Sequence, residues 1–129
     1  MVSVNQQNKG FTLIEILVVL SIIATLMSLV APRYFESLHR AKETTLKHDL
    51  SVMRNALDQY YSDTNSYPDT LDELVTHKYL RAVPTDPITE SSASWQFTPP
   101  LDINQKGAIF DIHSGSEKQA MDGTQYADW

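Results

Sequence analysis

A chain of 129 residues with 16 acidic and 10 basic side chains carries a formal charge of −6, and it contains no cysteine. The length allows one small domain, and the acidic balance speaks against a nucleic-acid partner held by electrostatics. The lack of thiols excludes disulfide staples, cysteine-based zinc sites and thiol chemistry together.

Residues 1–10 form a short polar leader whose only charge is Lys9. Residues 11–31 follow as an apolar run without Gly or Pro. A spanning helix needs about 20 residues at ~1.5 Å rise each, so this run is long enough to cross a membrane. Thr12, Ser21, Thr25 and Ser28 can return their hydroxyls to the helix backbone, which leaves Glu15 as the charge to be explained. A carboxylate inside a membrane segment costs roughly 2.5–3.5 kcal/mol when central and less near an interface. No group of the helix is expected to serve it, and Lys9 lies too far back. A cut between Gly10 and Phe11 would create an α-amine at the same depth, and that amine on a neighbouring copy can meet Glu15. Self-assembly would then be built into the anchor.

A secretory signal peptide has an apolar core of about 7–15 residues and a small-residue cleavage site, which this run is too long to match. An ordinary single-pass anchor fits the length and leaves Glu15 unexplained. Arg33, Arg40 and Lys42 lie just beyond the far end, so the positive-inside count does not favour the leader side.

Pro32 removes a backbone donor and opposes the carbonyl of Ser28, so a bend or local melt is expected there. From Arg33 to about Tyr61 the helical pattern resumes, with Phe35, Leu38, Ala41, Leu46, Leu50, Met53, Leu57 and Tyr60 on a dry stripe. Glu36, Arg40, Glu43, Lys47, Arg54 and Asp58 lie mostly off it, and Glu43 and Lys47 are spaced as an i,i+4 pair. Residues 62–66 are turn formers. Asp69 or Thr70 can cap a short helix over residues 70–77, with Asp72 and Glu73 in its first turn. Pro84 and Pro87 make residues 79–87 an extended connection. Residues 94–98 and 107–113 read as strands of a two- or three-stranded antiparallel sheet. Residues 114–129 show little periodicity and are expected as an ordered loop or a tail.

The sequence Gly-Phe-Thr-Leu-Ile-Glu at residues 10–15, preceded by Lys9 and followed by the apolar run, resembles the class III signal of type IV prepilins and type II secretion pseudopilins. The resemblance implies cleavage after Gly10 by a prepilin peptidase, methylation of Phe11, and pairing of Glu15 with an amine in a growing helical filament. It also places the leader in the cytoplasm, with residues 11–31 as the filament core and residues 32–129 as a periplasmic domain. The fold implied is α+β and pilin-like, a long N-terminal helix against a small antiparallel sheet with a C-terminal loop. Tyr67-Pro68, Leu71 to Leu74, Tyr79-Leu80, Pro84, Asp86-Pro87, Trp95 and the run from Phe110 to Gly115 are similar to the major pseudopilin of type II secretion systems. That likeness implies an inner-membrane assembly platform, partner pseudopilins and calcium in the C-terminal loop. Ser114, Glu117, Asp122 and Asp128 are the candidate ligands. The chain departs from the family pattern here, because Glu117 stands where an aspartate is expected and the acidic part of the loop is shorter.

Asp111, His113 and Ser114 are too close in sequence to converge as a catalytic triad, since alternate residues of a strand point in parallel. His39, His48, His77 and His113 lack metal-ligand spacing, and no Gly-rich phosphate loop occurs. Trp95, Phe97, Tyr67 and Tyr79 read as core or interface aromatics before they read as a ligand patch. The expected role is therefore a non-enzymatic subunit of a type II secretion pseudopilus, stored in the inner membrane and assembled into a short filament that drives protein export. A type IV pilus subunit for adhesion, motility or DNA uptake would use the same anchor. A monomeric membrane-anchored binding module would need neither cleavage nor Glu15.

Overall fold

The computed structural model describes residues 10–129; the expected leader, apart from Gly10, lies outside the described residues. The elements in order are α1 (Leu13–Thr64), α2 (Leu71–Thr76), β1 (Gln96–Thr98), β2 (Asp111–His113) and a closing 3-10 turn (Tyr126–Asp128). A long N-terminal helix and a small antiparallel sheet make this the expected α+β, pilin-like fold. The chain divides into two compact units, one ending at Ser37 and the other Leu38–Trp129.

In the first unit α1 is one uninterrupted apolar rod. Its hydroxyls return to the backbone as expected: Ser21 Oγ donates to the Leu17 carbonyl at 2.8 Å, Thr25 Oγ1 to Ser21 at 2.8 Å and Ser28 Oγ to Thr25 at 2.7 Å. Pro32 lies inside the helix, which does not melt around it. A proline removes one i→i−4 bond, a loss of about 3 kcal/mol that a helix continuing on both sides can absorb.

The second unit holds the core. Leu46, Leu50, Met53, Ala56, Leu57 and Tyr60 of α1 meet Leu71, Leu74, Leu80, Trp95, Ile109, Ile112, Ala120 and Tyr126. The dry stripe thus starts at Leu46, whereas Phe35, Leu38 and Ala41 are exposed. α1 also runs three residues past its expected end. Ser62 Oγ and Thr64 Oγ1 donate back to the carbonyls of Asp58 and Tyr60, which lets turn formers sit in a helix. Asn65 at φ 58° then stops it by bonding the Tyr61 carbonyl.

α2 is capped at its far end. Lys78 takes φ 66°, its N–H reaches the Val75 carbonyl, and the Tyr79 N–H reaches Leu74, a Schellman motif built on a non-glycine residue. At its start Thr70 makes no side-chain cap bond; instead Glu73 Oε2 accepts the Asp69 N–H at 3.2 Å. The strands are shorter than the alternation suggested, with register Phe97↔Ile112. Residues 107–109 leave the ladder, where the Ala108 and Ile109 N–H groups both donate to the Pro68 carbonyl, while the Phe110 N–H still reaches the Thr98 carbonyl of β1 at 2.8 Å. Gly107 permits this approach: at φ 105°, a Cβ there would lie 2.0 Å from the Tyr67 oxygen. Residues 114–129 are ordered, closed by a bridge between Gln119 and Gln125.

Candidate assembly site

Gly10 and Phe11 are both exposed at the head of α1, Phe11 to 82%. Thr12 and Glu15 then form a reciprocal capping box: the Glu15 N–H donates to Thr12 Oγ1 at 3.2 Å, and Glu15 Oε2 accepts the Thr12 N–H at 3.3 Å. Glu15 therefore has a partner within the chain, contrary to the sequence reading. The signal was present, since Thr-x-x-Glu before an apolar run is the sequence signature of this cap. The helix N-terminus also favours a carboxylate in its first turn, so the acid is local and preorganised. Beyond it, every large apolar side chain in residues 11–30 is 47–82% exposed. Within the described residues nothing covers this face.

The expected metal ligands are not brought together. Ser114 is fully buried and its Oγ donates to Asp86 Oδ2 at 2.6 Å. Asp122 Oδ1 accepts the Thr124 N–H at 3.0 Å and its hydroxyl at 2.6 Å, bonds that hold the Asp122 carboxyl below the usual carboxylate range. Glu117 and Asp128 are exposed. Among the described residues no group of three His, Asp or Glu side chains could hold a metal ion. A calcium ion requires six to eight oxygens at about 2.3–2.6 Å, and this donor set does not fit it as arranged.

The charged residues that organise the domain are different ones. Asp86 is fully buried, and besides Ser114 it accepts the Ile88 N–H at 2.9 Å, Thr89 at 3.4 Å and Gly115 at 3.2 Å. The loop before β1 is thereby tied to the end of β2. Burial pushes the Asp49 carboxyl up; His48 opposes this and Asp86 adds to it. Trp95, buried as expected, donates from Nε1 to the Pro84 carbonyl at 2.8 Å. Phe97, by contrast, is 49% exposed. Asp111 Oδ2 lies 3.5 Å from His113 Nε2, the surface acid–histidine pair, while Ser114 belongs to Asp86 and takes no part in a relay.

Two family models match the chain: the prokaryotic N-terminal methylation motif over residues 5–31, and type II secretion system protein G over residues 33–128. The chain is 37% identical over 98 residues to the type II secretion system core protein G of Pseudomonas aeruginosa, covering 64% of this chain and 69% of that protein. Against the protein of the same name from Klebsiella michiganensis it is 34% identical over 128 residues, covering 87% and 86%. The type IV major pilin protein PilA of Myxococcus xanthus is 31% identical over 70 residues, covering 54% of this chain and 32% of that protein. No solved structure matches.

Proposed function

The chain belongs to the protein G family of type II secretion systems, and from that premise we propose that it is the subunit of a short periplasmic filament that drives folded proteins outward. A prepilin peptidase removes residues 1–10 and methylates the amine of Phe11. Residues 11–31 wait in the inner membrane, then exchange lipid for copies of themselves at an assembly platform shared with other pseudopilins. Residues 32–129 stand in the periplasm. The role is structural, without catalysis.

The observation that carries this reading is the uncovered apolar face of α1, begun by a fixed carboxylate. Apolar surface is favoured out of water by about 25 cal/mol per Å², so such a face needs lipid or neighbouring copies. In lipid the capping box holds the Glu15 carboxylate at the helix start; in the filament the Phe11 amine of a neighbour supplies the charge it lacks. Pro32 marks where one helix hydrogen bond is missing and the spine can loosen during that exchange.

The test compares a deletion strain carrying the wild-type gene with one carrying Glu15→Ala. The variant is expected to insert in the membrane normally, to yield no filament and to leave exoproteins trapped in the periplasm. Normal filament yield from Glu15→Ala sinks the assembly role. The pilus reading has the weaker support, because the pilin match spans under a third of that protein. An unchanged set of secreted proteins with lost motility or DNA uptake would restore it. Intact mass separates both from a monomeric module, which keeps residues 1–10 and gains no methyl group.

A further inference from the structure

Glu43, Lys47 and Arg54 share one face of α1, because residues four and eleven apart return to within about 40° of one another on a helix. All three reach across to the far end of the chain. Glu43 Oε1 accepts both the Met121 N–H and the Tyr126 hydroxyl at 2.8 Å. The Lys47 ammonium lies 4.6 Å from the centre of the Trp129 ring, a cation–π contact. Arg54 donates from Nε to Asp111 Oδ1 at 2.8 Å, and from Nη2 to the Ile112 carbonyl at 2.8 Å and to the Trp129 backbone oxygen. His113 Nδ1 is 2.8 Å from that same Trp129 oxygen. The ring end of Trp129 is fixed as well, its Nε1 donating to Thr124 Oγ1 at 2.7 Å.

One side-chain carboxylate and two backbone oxygens converging on a single positive charge form the kind of oxygen set that a hard cation gathers. Here the charge is a guanidinium. Its planar fork directs hydrogen bonds at fixed angles, so it can draw these oxygens together without a metal. We propose that Arg54, with Glu43 and Lys47 beside it, clasps residues 111–129 onto α1 in place of the calcium ion that the family resemblance implies, and that folding of this domain is independent of calcium. Asp122 and Ser114, which the resemblance would give to an ion, instead hold Thr124 and Asp86. The clasp stands apart from the assembly role, because it concerns how one subunit closes and not how copies meet.

The experiment uses the full chain in detergent micelles, with thermal melts followed by near-UV circular dichroism in calcium chloride and in chelator. The wild-type curves are expected to coincide. Arg54→Met is expected to lower Tm equally in both conditions, with Glu43→Gln and Lys47→Met giving smaller drops that serve if Arg54→Met does not fold. An ion present at about a hundred times its Kd would raise Tm by roughly ten degrees or more, so a calcium-dependent rise of that size in the wild type overturns the proposal. It also fails if calcium restores the Tm of Arg54→Met, or if the substitutions leave Tm unchanged. Filament yield is not the readout, so a failure here leaves the assembly role standing.

Discussion

Leu20 and Leu57 sit on the same helix and meet opposite surroundings: Leu20 is 56% exposed and Leu57 is fully buried. Both halves of α1 are helical and both carry large apolar side chains, yet in residues 11–30 those side chains stay exposed among the described residues, while from Leu46 onward they fill the core. The difference lies in what surrounds each half. Hydroxyl groups in the first half return to their own backbone, so it presents apolar surface on every side. The second half alternates apolar and charged residues, so one stripe seals against the domain. One element thus carries two separate hydrophobic commitments, the first outside the chain and the second inside it.

The sharpest way to break that comparison is to make one deletion in each half. Leu57→Ala removes a fully buried side chain from a crowded site and is expected to cost about 2–5 kcal/mol. Leu20→Ala is expected to leave domain stability unchanged and to act on filament yield alone. Urea unfolding of both full-length variants in detergent, followed by near-UV circular dichroism, measures this. Equal losses would mean that the first half is also part of the folded core.

Most of this division was readable from residue order. The length of the apolar run, its start at Phe11 and the stripe from Leu46 to Tyr60 follow from periodicity. The box of Thr12 and Glu15 is readable in the spacing Thr-x-x-Glu ahead of an apolar run. The start of the stripe is not readable: Phe35 and Leu38 have the right period, but nothing in the sequence says where the domain begins to cover the helix. Nor could spacing alone assign Glu43 and Lys47. At i,i+4 they suit each other, whereas the structure gives Glu43 to Met121 and Tyr126, and Lys47 to Trp129, all far along the chain. Residue order does not mark Asp86 as buried, since burial of a carboxylate depends on donors that folding brings from residues 88, 89, 114 and 115.

That carboxylate sharpens the contrast from the polar side. The first half of α1 satisfies its polar groups within a turn, while Asp86 joins segments 28 residues apart. Asp86→Asn turns an amide toward donors that need an acceptor, and is expected to cost about 1–3 kcal/mol. The same urea titration reads it, and an unchanged midpoint would show that the loop before β1 is held by Trp95 and Pro84 instead.

The smallest expected effect appears only in alkali. Burial, with the hydrogen bond to Glu43 next, pushes the Tyr126 hydroxyl up to about 12 from its ordinary 10.0. The folded chain therefore keeps a proton between those values that the unfolded chain has lost. The stability this contributes is fully present below pH 10 and falls as pH rises through the folded value. Tyr126→Phe is expected to cost about 0.5–1.5 kcal/mol at neutral pH, where Glu43 still accepts the Met121 N–H, and to flatten the decline between pH 10 and 12. Some slope will remain, because burial also raises Tyr60 and Tyr67, and the bond to Asp63 raises Tyr79. All four tyrosines belong to Leu38–Trp129, so the alkaline loss should show in near-UV dichroism while helicity from the first half of α1 persists. If far-UV and near-UV signals vanish together, the two halves unfold as one.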